Sequence, residues 1–217
     1  RQYTYNQNQR LIQVVDGAMT AGYIYNGNGQ RVKKTVNGVT TVFHYSLSGQ
    51  LIVESNSTGS IAVEYVYLNG QPLTKIEGNS VYYYHNDHLG TPQKMTDASG
   101  TVVWAADYKP FGEATITVST IANNLRFPGQ YYDAETGLNY NYFRDYNPVI
   151  GRYIESDPIG IMQEVKYLLT INSEHRRDIE IAALMLLDGI NHLYAYTAAN
   201  PVNRLDSKGL YVSTAAC

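Results

Sequence analysis

The 217 residues carry 16 Lys and Arg against 19 Asp and Glu, a formal net charge of −3, with 44% hydrophobic and only 16% charged residues. That apolar content at this length is ample for a buried core and excludes a disordered chain, and without a dense basic run neither a nucleic-acid nor an anionic-membrane surface is expected. No apolar stretch is long enough to span a bilayer. The outlier is tyrosine: 21 Tyr against 4 Phe and 1 Trp, a composition suited to strands whose rings pack while the hydroxyls find water or backbone groups. Cys217 is the sole cysteine, so an intrachain disulfide is impossible. The chain starts at Arg1 without a signal peptide and is read as a fragment or a processed product.

Aligned on the tyrosine before each turn, the first part is a repeat: Tyr5-Asn-Gln-Asn-Gln9-Arg-Leu11, Tyr25-Asn-Gly-Asn-Gly-Gln30-Arg-Val32, Tyr45-Ser-Leu-Ser-Gly-Gln50-Leu-Ile52 and Tyr67-Leu-Asn-Gly-Gln71-Pro-Leu73. Each unit reads as strand, short turn, Gln, strand. Further turns are expected at Asn37-Gly38, Thr58-Gly59, Gly78-Asn79, Ser99-Gly100 and Thr136-Gly137, between strand-like runs such as 40–45, 61–67 and 81–84. Period-two alternation in Thr41-Val42-Phe43-His44-Tyr45 puts one face on a core. Single hairpins are marginal, so successive ones must pair edge to edge into a long twisted sheet that curls or spirals. An ordinary β-sandwich is the weaker alternative, because it has no need for Tyr and Gly-Gln in register.

These units resemble the YD repeats of the Rhs and teneurin superfamily. The following segment is more specific: His85-Asn-Asp-His-Leu-Gly-Thr-Pro92, Trp104-Ala-Ala-Asp-Tyr-Lys-Pro-Phe-Gly112, Leu125-Arg-Phe-Pro-Gly-Gln-Tyr-Tyr-Asp133, Glu135-Thr-Gly-Leu-Asn-Tyr140, Tyr142-Phe-Arg-Asp-Tyr-Asn-Pro148, Gly151-Arg-Tyr153, Asp157-Pro-Ile-Gly160 and Leu193-Tyr-Ala-Tyr-Thr-Ala-Ala-Asn-Pro201 stand in the order typical of the Rhs repeat-associated core domain. The resemblance, which extends to the C-type shell proteins of insecticidal toxin complexes, implies a mainly β fold. YD-repeat hairpins (1–80) would spiral as part of a hollow shell, and a core domain (81–210) would turn inward as a plug. Residues 211–217 would stand where relatives carry a toxin domain, since seven residues cannot fold as one.

Family cleavage follows a second Asp-Pro-x-Gly-Leu motif downstream of a first, and this chain has Asp157-Pro-Ile-Gly-Ile161 and Asp206-Ser-Lys-Gly-Leu210. The resemblance therefore implies a scissile bond after Leu210, with Asp157 and Asp206 as an aspartyl-type dyad. Close pairing of two carboxyls leaves one to activate water and the other to deliver a proton. Arg144 matches an arginine the family places upstream, where its charge can hold one carboxylate or stabilise an oxyanion. The residues alone allow a plainer reading in which each Asp caps its own turn. Ser207 replaces the usual proline, Ile161 the usual leucine, and the two aspartates are 49 positions apart, about twice the family gap. Residues 162–188 look inserted and read as helix, broken near Asn172-Ser173.

No cofactor is expected. His85, Asp87 and His88 invite a metal, but their place in the family's turn favours a structural role; His44, His175 and His192 stand alone. Trp104, Tyr108 and Phe111 offer a sugar-stacking platform against a default of core packing. Asn26-Gly27 and Asn28-Gly29 lack the strand, Lys and helix of a phosphate loop. Two functions follow. One is a bacterial, secreted or surface-displayed shell and plug with at most single-turnover self-cleavage, its partners the preceding repeats and the released segment. The other is an adhesive scaffold that assembles with copies of itself.

Overall fold

The computed structural model describes residues 1–158, 193–210 and 213–214. The helix expected over 162–188, and with it His175, His192 and Cys217, lies outside the described residues. A single antiparallel meander of twelve strands dominates. It comprises β1 (Gln2–Tyr5), β2 (Leu11–Asp16), β3 (Met19–Tyr25), β4 (Arg31–Val36), β5 (Val39–Tyr45), β6 (Leu51–Asn56), β7 (Ile61–Leu68), β8 (Gln71–Glu77), β9 (Ser80–Asn86), β10 (Pro92–Thr96), β11 (Val102–Tyr108) and β12 (Ala114–Ser119). Each strand pairs only with its sequence neighbours, the edge-to-edge stacking that marginal hairpins require. The sheet runs on through the motifs after residue 80 without interruption.

Two turn types occur, and over the first five turns they alternate and set the twenty-residue spacing. One is a two-residue reversal, as at Asn37-Gly38, where both residues have positive φ (48° and 85°) and match the twist of the flanking strands. The other is a longer turn closed by an Asn or Asp side chain. Asn6, Asn26, Asn56, Asp87 and Asp97 each accept, on Oδ1, the amides two and four residues on. The repeat tyrosines mark β-bulges, for the register slips at Thr4/Tyr5, Ile24/Tyr25, His44/Tyr45 and Val66/Tyr67. Two of these tyrosines reach across to the hairpin before: Tyr25 Oη donates to the Leu11 carbonyl (2.6 Å) and Tyr45 Oη to that of Arg31 (2.9 Å).

One face of the meander is apolar, with Leu11, Val14, Tyr23, Phe43, Tyr65, Tyr84, Met95 and Trp104 buried, while alternate residues such as Ile24 and Val66 are exposed. A second, four-stranded sheet covers that face: β13 (Tyr131–Asp133), β14 (Leu138–Asn141), β15 (Arg144–Asn147) and β16 (Arg152–Tyr153). Tyr131 meets Phe43 edge-on, with ring centroids 5.2 Å apart, and donates its hydroxyl to Glu54 (3.0 Å). Trp104 lies inside this core, Tyr108 stacks on Phe127, and the Phe111 carbonyl accepts from Tyr146 (2.8 Å). This trio packs and bonds within the fold. Finally, β17 (Arg204–Leu205) pairs with β18 (Ser213–Thr214).

The two sheets are joined by buried charge. Arg31 of β4 and Asp133 of β13 have side chains 1% and 2% exposed and form a two-pronged pair, with Lys34 also on Asp133 at 2.8 Å. Burial pushes the Asp133 carboxyl up, but Arg31 and then Lys34 more than offset it and leave its pKa below the ordinary value. Replacing Asp133 strands the buried Arg31, while Lys34 keeps Glu135 at 3.2 Å, so Asp133→Asn should lower unfolding free energy by about 3–5 kcal/mol in urea titrations. Lys109→Ala, which opens a surface pair, should change the midpoint little.

Candidate functional site

Consecutive strand residues point to opposite faces, and β15 uses that rule to divide two charged neighbours. Asp145 faces the large sheet; Arg144 faces the C-terminal segment. The guanidinium of Arg144, 3% exposed, is held over the Tyr153 ring, with Cζ 3.7 Å from the centroid. Its Nη2 contacts Asp157 Oδ2 (3.0 Å) and Asp206 Oδ2 (3.3 Å). Its Nη1 donates to the Leu193 carbonyl (3.0 Å) and its Nε to the Gly209 carbonyl (2.6 Å). The three residues singled out in the sequence thus meet around one guanidinium despite the long gap between the aspartates.

Asp206 does two things at once. Its Oδ1 accepts the Leu210 amide (2.9 Å) and its carbonyl faces the Gly209 amide (3.5 Å), the same closure seen in the longer hairpin turns. Its Oδ2 receives the Tyr153 hydroxyl (2.9 Å) as well as Arg144. Asn141 completes the cradle by donating Nδ2 to Tyr153 Oη (2.7 Å) and to the Asp206 carbonyl (2.8 Å). The Gly209–Leu210 peptide is therefore gripped at both polar ends, one bond before the expected cut after Leu210; Tyr211 is outside the described residues.

Two glycines permit this approach. A Cβ on Gly209 would sit 2.6 Å from the Asn141 carbonyl oxygen, and one on Gly129 only 2.0 Å from that of Ser207. Both also have positive φ, so any side chain there would push the 206–210 turn off its cradle. The rings of Phe127, Tyr146, Tyr153 and Tyr196 pack together beside it as a separate cluster. Tyr153 and Asn141 belong to motifs visible in the sequence, but nothing there assigned them to Asp206.

The opposite face of β15 holds a second carboxyl pair that sequence reasoning missed. Asp145 and Glu155 are both buried, and Glu155 Oε2 accepts the Asp145 amide at 2.8 Å. Burial, then the Asp145 charge, raises the Glu155 pKa to about 9; burial also raises that of Asp145 to about 6, against the pull of Arg31. At neutral pH the pair retains a proton that an unfolded chain, with carboxyl values near 4, has lost. The folded state thus binds more protons between about pH 4.5 and 9, so stability is greatest at the acid end and falls as pH rises through that window. Urea unfolding at pH 5 and pH 9 should differ by about 2 kcal/mol or more, and Glu155→Gln should remove most of the difference.

The histidine turn is structural in its contacts. Asp87 closes it, His85 Nε2 pairs with Thr96 Oγ1 (3.0 Å), and His88 Nε2 meets the Val202 carbonyl (2.9 Å).

A family model described as RHS protein matches residues 81–117, which run from β9 to β12. The double-stranded DNA deaminase toxin A of Burkholderia cenocepacia is 32% identical over 200 residues, covering 74% of this chain and 14% of that protein. The tRNA nuclease WapA of Bacillus subtilis is 32% identical over 164 residues, covering 72% of this chain and 7% of that protein. The Tc holotoxin pore of Photorhabdus luminescens superposes with a TM-score of 0.66 at 24% identity, over 99% of this chain and 10% of that one. The chain is an Rhs-type protein. It shares its fold with the Tc holotoxin pore structure and spans about a tenth of the length of the relatives it matches. In this Rhs chain, Arg144, Asp157 and Asp206 lie downstream of the stretch covered by the family model.

Proposed function

We propose that the chain is a shell-and-plug segment of an Rhs-type protein that cuts itself once, after Leu210. The observation that carries the reading is the convergence of Asp157 and Asp206 on Arg144, whose Nε also holds the Gly209 carbonyl. In the proposed step one carboxylate takes a proton from water as its oxygen attacks the Leu210 carbonyl carbon. The partner carboxyl gives a proton to the departing Tyr211 amine, so the C–N bond breaks and one water is consumed. The pair acts as a unit, and Arg144 supplies positive charge beside both members. Because the turn is gripped by its own chain, the site acts once.

Enclosure is supported by the likeness to Tc structures and by the company this segment keeps. It recurs in a protein named as a DNA deaminase and in one named as a tRNA nuclease. Chemistries so different do not reside in a shared segment; it serves instead to present or enclose a variable one. The preceding repeats are its natural partners, and secretion or surface display fits the toxin relatives.

Intact mass spectrometry tests the cut. The wild-type chain should lose residues 211–217 under native conditions, Asp157→Asn and Asp206→Asn should keep them, and Arg144→Lys should slow release by about 100-fold. Retention of 211–217 by the wild type excludes self-cleavage and leaves the enclosing role alone. Equal cutting of all forms assigns it to a contaminating protease.

A further inference from the structure

A cavity of about 500 Å³ opens between three pieces of the fold, within the size range of sites for small ligands. The turn ends 48–49, 69–70 and 88–90 of the large sheet form one wall, loop 126–130 the second, and Ser207 with Lys208 the third. Tyr45, Tyr67, Tyr131 and Tyr140 line it with aromatic surface.

One buried cation on this lining stands without a counter-charge in a way that points to a ligand. Arg126 is 6% exposed. Its Nη1 donates to the carbonyls of Asn123 (2.8 Å) and Leu125 (2.9 Å), and its guanidinium lies against the Tyr132 and Trp104 rings. Yet no carboxylate among the described residues stands within ion-pair distance of it, whereas buried Arg31, Lys75 and Arg144 all have one. Burial accordingly depresses its pKa. A desolvated cation without a counter-charge costs free energy. One anionic acceptor group relieves it.

We propose that this cavity binds a carboxylate carried on an apolar body, such as the free carboxyl end of a peptide, with Arg126 receiving the carboxylate and the tyrosine rings flanking the apolar part. The planar guanidinium suits a carboxylate in geometry. This site is distinct from the self-cleavage centre and holds whether or not the chain cuts itself.

The chain contains its own reporter, because its single tryptophan, Trp104, lies 5.8 Å from Arg126 Cζ. Full-length protein is titrated with N-acetyl-leucine, with N-acetyl-leucine amide and with inorganic phosphate, followed by tryptophan fluorescence and calorimetry. The acid should bind saturably and the amide and phosphate at least about tenfold more weakly. Arg126→Met should lose binding by a similar factor. Since that variant removes a buried side chain, Ser48→Phe at the exposed rim serves beside it; it should weaken binding with an unchanged circular dichroism spectrum and unfolding midpoint. Equal affinity for acid and amide, tighter binding of phosphate, no saturation by the acid up to about 10 mM, or undiminished binding in Ser48→Phe overturns the proposal.

Discussion

Taking a guanidinium out of water costs several kcal/mol unless its charge is met, and Arg31, 1% exposed and with its Nε left without an acceptor, has that charge met by the second sheet. Asp133 takes its charge, and the rings of Tyr23, Phe43, Tyr131 and Tyr140 surround it. Its amide donates to Tyr140 Oη (2.8 Å) and its carbonyl accepts from Tyr45 Oη. Residues a hundred positions apart are thereby locked in one register, so that β13 and β14 cannot slide over the large sheet without exposing or unpairing a buried ion. A purely apolar contact would tolerate such a shift far better.

Once β13 and β14 are held, β15 follows by strand pairing, and its alternation delivers Arg144 to one side and Asp145 to the other. The C-terminal turn then docks by contact. Gly129 and Gly209 leave no clearance at Ser207 and Asn141, and the Phe143 amide donates to the Lys208 carbonyl (3.2 Å). The geometry around Arg144 is thus inherited from Arg31 through two strands and two glycines. A buried carboxyl pair behind Arg144 makes the same strand a place where proton binding and sheet packing are linked.

What could be read from the sequence divides along the range of the interactions. The hairpins were legible because turn closure and bulge are local: Tyr25 through Gln30 contain the slip, the Asn26 cap and the reversal. The Arg144, Asp157 and Asp206 constellation was legible through motif order rather than spacing, since the chain between the aspartates is long. Glu155, Arg126 and the Arg31–Asp133 pair were not. Each looks ordinary in its own segment, and what makes it unusual is a neighbour brought in from another sheet. The large tyrosine count was read as a mark of half-wet strands. The structure shows many of these rings fully buried, with hydroxyls spent on carbonyls and carboxylates, as for Tyr65 on Glu54 and Tyr153 on Asp206.

The turn reading and the reactive reading of Asp206 then cease to compete. Asp87, Asp97 and Asp206 close turns with the same Oδ1 geometry, so the local chemistry of the motif is that of any hairpin in the chain. They differ in what meets the rest of the carboxylate. At Asp87 the second oxygen faces the Gln93 amide (3.3 Å), and at Asp97 the turn is exposed to water. At Asp206 the second oxygen is sealed from solvent against a guanidinium and a phenol, where charge acts through low-dielectric surroundings and is felt far more strongly. The proposed cleavage centre would therefore differ from a repeat turn in its surroundings alone, with the turn's backbone left as it is in the repeats.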